Sequence, residues 1–307
     1  MRRNLRSRTS ALVVAAAALA LVGAVAALYL RAPTTSPPAD TLLRGWTVTA
    51  NGHELYIECQ GQGSPAVVLD SGLGDASSVW DDVLIATENL GVRVCAYDRW
   101  GLGLSQASPP GTRPIGDATA DLHALLTAAD VPPPYVLVSH SIAGLIHRDF
   151  TQRYPTDVVG LVMVDTAPDD WNTYMKTDDF TYGSESLAVA AVTARLRASD
   201  DLSDRPVIVL LGATSNQIDG RLGFRDYWRA AQHALAALST NSMTVVAVDS
   251  DHGIPTSQPD LVAAAIGLVV TAAHTDQPLP ACTTSALPVI GGRCDVTVEP
   301  AAAAQIP

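Results

Sequence analysis

The residues best suited to chemistry stand where apolar runs break off. In VLVSHSIAGLIHR, Val136 to Arg148, a strand-like segment runs into two serines flanking a histidine and then resumes with helical spacing. Tyr135 to Val138 is short, apolar and β-branched after Pro132, Pro133 and Pro134, the pattern of a strand buried in a parallel sheet. Ile142, Leu145, Ile146 and Phe150 recur at intervals of three and four, which places them on one face of a helix. Ser141 therefore occupies a tip between strand and helix, with the small residues Ser139 and Ala143 two positions away on either side. A hydroxyl raised there, beside the N–H groups of a helix start, suits nucleophilic attack if a base lies within hydrogen-bond reach.

Seven histidines could supply the base. His252 follows the last strand-like run, in VDSDHGIPTSQPDLV, and loops at the carboxyl ends of parallel strands open onto one sheet edge, so His252 and Ser141 converge. His140, next to the tip residue, is expected to point away from it. His123, His147 and His233 fall on helical stretches, and His53 and His274 belong to no motif. The imidazole also needs a carboxylate to hold its tautomer; Asp165 ends the strand-like run LVMVD, and Asp219 follows the next such run, in GATSNQID. Asp251 is a poor choice because adjacent side chains rarely meet usefully.

These residues need a frame. Trp46 to Ala50 and Glu54 to Cys59 read as strands joined by Asn51-Gly52, a hairpin signal. Ala66 to Asp70, Val92 to Tyr97, Tyr135 to Val138, Val158 to Asp165, Pro206 to Leu211 and Met243 to Val248 are further strands. Helices over Ser78 to Leu90, Ile115 to Ala129 and Gln258 to Ala273 alternate with them. Such alternation means a mainly parallel sheet covered on both faces. The interval from Ala167 to Arg205 breaks the alternation, polar and acidic at first and then helical from Leu187 to Ala198.

Composition narrows the function classes. In 307 residues, 48% are apolar, ample for a packed core. The formal charge is −12 although residues 1–31 contribute five arginines and no acid, so the remainder is more acidic still and repels phosphate backbones; nucleic acid is not an expected partner. Arg2, Arg3, Arg6 and Arg8 precede an apolar run from Ala11 to Leu30 closed by Arg31, which reads as a signal anchor or, with Ala24-Val25-Ala26 as a cleavage site, a signal peptide. Either form leaves the N-terminus inside and the domain outside the cytoplasm, membrane-anchored or secreted. Residues 32–44 are a Pro-rich linker, 45–275 the folded domain, and 276–307 a Cys-containing tail. In an oxidising compartment Cys282 and Cys294 would staple that tail into a loop. No Cys/His cluster has metal spacing, and neither metal nor cofactor is expected.

Together the motifs resemble those of the α/β-hydrolase superfamily, in its serine esterase and lipase branch. Ser139 to Ala143 resembles the G-x-S-x-G nucleophile elbow, with both glycines replaced by small residues; YDRWGLGLS, Tyr97 to Ser105, resembles the D-R-x-G-x-G-x-S segment; DSGLGD, Asp70 to Asp75, resembles the oxyanion loop. The likeness runs from about Trp46 to Ala273, in the family's order. It implies an eight-stranded, mainly parallel sheet with a small cap, about 167–205, after the sixth strand. It implies Ser141 as nucleophile, His252 as base, and the backbone N–H groups of Leu73 and Ile142 as oxyanion donors. Asp165 is the preferred acid, since the place where other branches carry it holds Ser215 and Asn216; Asp219 is the alternative. Asp98 and Arg99 would organise loops beside the site. Trp171, Tyr174, Phe180 and Tyr182 would face substrate or anchor the cap. The second and fourth strands would be neighbours, so Cys59 and Cys95 either pair or remain buried thiols. The implied activity is hydrolysis of small carboxylic esters, with thioester, amide or C–C hydrolysis, acyl transfer, or a catalytically silent binding protein of the cell envelope as alternatives.

Overall fold

A computed structural model of the chain describes residues 45–199, 201–214 and 223–295. The arginine-flanked run, the Pro-rich stretch and Asp219 lie outside the described residues. Strands β1 (Trp46–Ala50) and β2 (His53–Gln60) form a hairpin about Asn51 and Gly52, both with positive φ, as a tight primed turn requires. The chain continues through β3 (Ala66–Asp70), α1 (Asp81–Thr87), β4 (Val94–Tyr97) and a two-residue β5 (Arg113–Pro114). Next come α2 (Ile115–Ala128), β6 (Tyr135–His140), α3 (Ala143–Arg153) and β7 (Val158–Val164). The interval that interrupts the alternation holds α4 (Trp171–Met175), β8 (Asp179–Tyr182), β9 (Glu185–Ala188) and α5 (Ala190–Ser199). The domain ends with β10 (Val207–Gly212), α6 (Phe224–Ala236), β11 (Ser242–Ala247), α7 (Ile254–Ser257), α8 (Pro259–Thr275) and β12 (Gly292–Cys294).

The main sheet runs β1-β2-β4-β3-β6-β7-β10-β11-β12, parallel from β4 to β11 and antiparallel at both edges. It has nine strands among the described residues, where eight were expected, because the tail supplies β12. Those three residues, GRC, are too short to show a period-two pattern, and only their pairing with β11 (Val245↔Cys294) makes them a strand. The central strands are buried on both faces. Val67, Val94, Val136, Val162 and Ile208 meet α1 and α8, while Val68, Leu137, Leu161 and Val209 meet α2, α3 and α6.

The cap differs from the expected helix. Leu187 and Ala188 belong to β9, and the helix starts only at Ala190. The hairpin β8–β9 joins β5 in a small second sheet, so the cap is sewn to the segment leading into α2. Its aromatics largely pack on one another and on α6: Trp171 lies edge-on to Phe224 and Trp228, and Tyr174 stacks on Tyr227 at 4.0 Å, whereas Tyr182 is exposed. Both cysteine pairs are disulfides. Cys59–Cys95 bridges paired residues of β2 and β4, and Cys282–Cys294 ties the tail to β12.

Candidate active site

The elbow is built where β6 hands over to α3. Ser141 has φ 56, in the left-handed region that side-chain-bearing residues avoid, so the surrounding structure must hold it there. Its N–H donates to the Val164 carbonyl at 3.2 Å, and its own carbonyl accepts from the N–H of Gly144 at 3.1 Å and of Ala167 at 2.9 Å. The end of β7 thus clamps the tip of β6. Close approach is required at Gly144, where a Cβ would lie 2.5 Å from Cβ of Thr166; Ala143 is buried and tolerated. The departure from the glycine pattern therefore leaves the tight spot occupied by glycine, one residue later.

His252 lies after β11 with its side chain 29% exposed, and its Nδ1 is 2.7 Å from Oδ2 of Asp165. Asp165 is fully buried at the end of β7, itself at positive φ, and its Oδ1 accepts from the Gly212 N–H at 3.1 Å and the Trp228 indole N–H at 2.9 Å. Both carboxylate oxygens are committed. With Nδ1 turned to Asp165, Nε2 is the imidazole nitrogen left for a hydroxyl. Trp228 also stands edge-on to the His252 ring. In the sequence nothing local marks Trp228 as a partner of the candidate acid.

His140 does not point away from this assembly. Its ring lies 4.6 Å from that of His252, and its Nε2 donates to the His252 carbonyl at 2.8 Å. Burial, and secondarily the charge of His252, lower its pKa to about 3, so it is a neutral donor that pins the histidine loop. The loop after β11 reaches the tip of β6, so the neighbour of Ser141 meets that loop instead of pointing away. Of the remaining histidines, His147 is buried near Asp70, His123 stacks on Tyr154, His53 stacks on Trp100, His233 pairs with Asp295, and His274 is exposed.

The loop after β3 approaches through its backbone. Among the described residues neither the Leu73 nor the Ile142 N–H has an intramolecular acceptor, whereas the Gly74 N–H donates to Glu185 Oε2 at 2.8 Å. Gly74 has φ +75, which favours glycine. Asp98 accepts from the N–H groups of Ser77 and Leu104, and buried Arg99 joins Asp70 to Glu185. Among the described residues no group of His, Cys, Asp and Glu is arranged to hold a metal ion. Nor is any helix there long and apolar enough to cross a membrane.

The family model for serine aminopeptidase, S33, matches residues 62–306. YqjL of Bacillus subtilis (strain 168), an uncharacterised protein, is 27% identical over 228 residues, covering 72% of this chain and 89% of its own. RutD of Variovorax paradoxus (strain S110), named as a candidate carbamate hydrolase, is 35% identical over 111 residues, 36% of this chain and 41% of its own. Among solved structures, a thermophilic esterase from Thermogutta terrifontis superposes with a TM-score of 0.57 at 21% identity, over 75% of this chain and 99% of its own. At that identity the likeness is one of fold, and the fold is that of the α/β-hydrolases.

Proposed function

This chain belongs to the serine aminopeptidase, S33, family of α/β-hydrolases, and from that premise we propose that it is an exported serine hydrolase cleaving small carboxylic esters through an acyl-enzyme. The observation that carries the reading is the pairing of His252 Nδ1 with a fully buried Asp165, beside a serine held at positive φ on the elbow. Ser141 Oγ attacks the ester carbonyl carbon as its proton passes to Nε2 of His252, and Asp165 stabilises the imidazolium. The N–H groups of Leu73 and Ile142 receive the oxyanion. Collapse expels the alcohol, which takes the proton from His252, and a water activated by the same nitrogen releases the acid. A serine nucleophile separates this chemistry from hydrolases that attack with a carboxylate. Amide and carbamate hydrolysis share the acyl-enzyme route, and the partial match to RutD favours including carbamates among the substrates tested.

Export is proposed from the arginine-flanked apolar run at the N-terminus and is supported by the two disulfides, which persist in oxidising compartments. A fluorophosphonate probe should label Ser141 in the native protein and fail on Ser141→Ala. A panel of esters, amides and carbamates should then show turnover of esters first. Added protease should reach the domain on intact cells or find it in the medium. A folded wild-type protein that never reacts with the probe would turn the reading toward a silent binding protein.

A further inference from the structure

We propose that Glu185, carried by the cap strand β9, is a positioning residue that aims the Leu73 N–H, so that the cap and the oxyanion-binding loop move as one unit. The inference rests on the serine-hydrolase reading and adds a residue to it.

The argument starts from Arg99, whose guanidinium has five N–H donors in a rigid fork. All five are taken. Nε donates to Glu185 Oε1 at 2.7 Å; NH2 donates to Glu185 Oε2 at 2.8 Å and to the Gly72 carbonyl at 2.6 Å; NH1 donates to Asp70 Oδ1 at 2.5 Å and to the Ser71 carbonyl at 2.7 Å. Glu185 Oε2 also accepts the Gly74 N–H. The Gly72 carbonyl and the Leu73 N–H belong to one peptide group, and in a planar trans peptide they point in opposite directions. Turning the carbonyl onto Arg99 therefore turns the Leu73 N–H away from the buried cluster, and among the described residues that N–H has no intramolecular acceptor. Glu185 and Asp70 together hold the guanidinium, and the guanidinium shares the Gly72 carbonyl with the Asp75 N–H at 3.2 Å, so that Arg99 and this turn set the plane of the peptide between them.

Two features indicate that Glu185 contributes geometry and not merely charge balance. Asp70 alone would neutralise Arg99, yet a second carboxylate is buried beside it, and its charge is offset by directed hydrogen bonds from Arg99 and Gly74 together with the nearby charge of Arg113. The same hairpin also lies on the loop directly, since a Cβ at Gly74 would meet Cδ1 of Tyr182 at 2.6 Å. Cap and loop are in contact through backbone, charge and ring.

The test uses the full-length protein, p-nitrophenyl butyrate as substrate, and a trifluoromethyl ketone whose tetrahedral adduct presents an oxyanion. Removing an oxyanion donor outright costs about 10²–10³ in kcat, so misaiming one through Glu185→Gln should lower kcat about 10- to 100-fold with KM changed less than about threefold. The ketone's inhibition constant should rise by the factor by which kcat/KM falls, a correlation that a merely structural role would not produce. Thr181→Ala, which removes an exposed hydroxyl link to Ser186 within the hairpin, should leave kcat and inhibition unchanged. Should the Gln variant not fold, Glu185→Asp carries the test, keeping charge on Arg99 but falling short of Gly74, with the same expected loss. Wild-type kcat and inhibition in both variants, in a protein whose Ser141 reacts with fluorophosphonate, would overturn the inference. Absence of that reaction in the wild type would instead overturn the hydrolase reading beneath it.

Discussion

At the scale of single residues, the candidate acid is held as firmly as the candidate base. A carboxylate with one oxygen on His252 and the other on Gly212 and Trp228 has no freedom to rotate, so the imidazole it faces is held in one tautomer. Asp165→Asn should therefore lower kcat by as much as about 10⁴-fold while the melting temperature changes little, and Asp219→Asn should leave kcat near wild type. Steady-state kinetics on the two variants separates the candidates, and a reversed result would move the acid to the loop after β10. Trp228→Phe keeps the ring but removes the indole donor. A hydrogen bond to a charged group contributes about 1.5–3 kcal/mol, so kcat should fall about 10- to 100-fold if most of that support bears on the transition state. A Trp228→Phe protein with unchanged kcat would show that Gly212 alone suffices to hold the acid.

At the scale of elements, the tail does more than close a loop. Strand β12 extends the sheet beside β11, and the residues before it prop the segment that carries His252. The Val248 N–H donates to the Gly291 carbonyl, and Gln258 bridges the Asp249 N–H and the same carbonyl. Asp295 is fastened to α6 through Arg229 and His233. The Cys282–Cys294 disulfide restrains this unit, and closing so short a loop stabilises by roughly 3 kcal/mol in the chain-entropy treatment. Replacing both cysteines by serine should cost about that much in urea unfolding and speed amide exchange over residues 248–258. Unchanged exchange there would mean that the tail merely lies against the loop.

At the scale of the whole molecule, the buried histidines set an acid limit. Burial lowers His140 to about 3 and His147 to about 4, so both are neutral in the fold while their unfolded counterparts titrate near 6.5. Between those values the unfolded chain binds protons that the native state does not, so stability is fully present above about pH 6.5 and is lost as the pH falls toward 4. Each histidine contributes a slope of up to about 1.4 kcal/mol per pH unit in that window. Urea unfolding at pH 7, 6 and 5 should show the decline, and His147→Gln should remove roughly half of it. Glu185 acts lower down. Burial pushes its carboxyl up, but Arg99 and the Gly74 N–H outweigh this and hold it below the usual range, so its contribution is lost only as the pH falls through that depressed value.

Much of this architecture was legible from the residues because its signals are local. Alternating apolar runs place β3, β4, β6, β7, β10 and β11 in a parallel sheet, Asn51-Gly52 marks the first hairpin, and the break from strand to helix marks Ser141 at a tip. Local patterns carry no information about what meets across the fold. That His252 Nδ1 lies on Asp165, that Trp228 steadies the same carboxylate, and that His140 turns inward all depend on contacts between residues more than sixty positions apart. Leu187 and Ala188 carry the Ala/Leu-rich pattern of the helix that follows them, and propensity yields there to pairing of β9 with β5 and β8. Glu185 shows the division most clearly. In the sequence it is one acid in a polar stretch, and only the tertiary structure buries it against Arg99, 86 residues away, beside the candidate site.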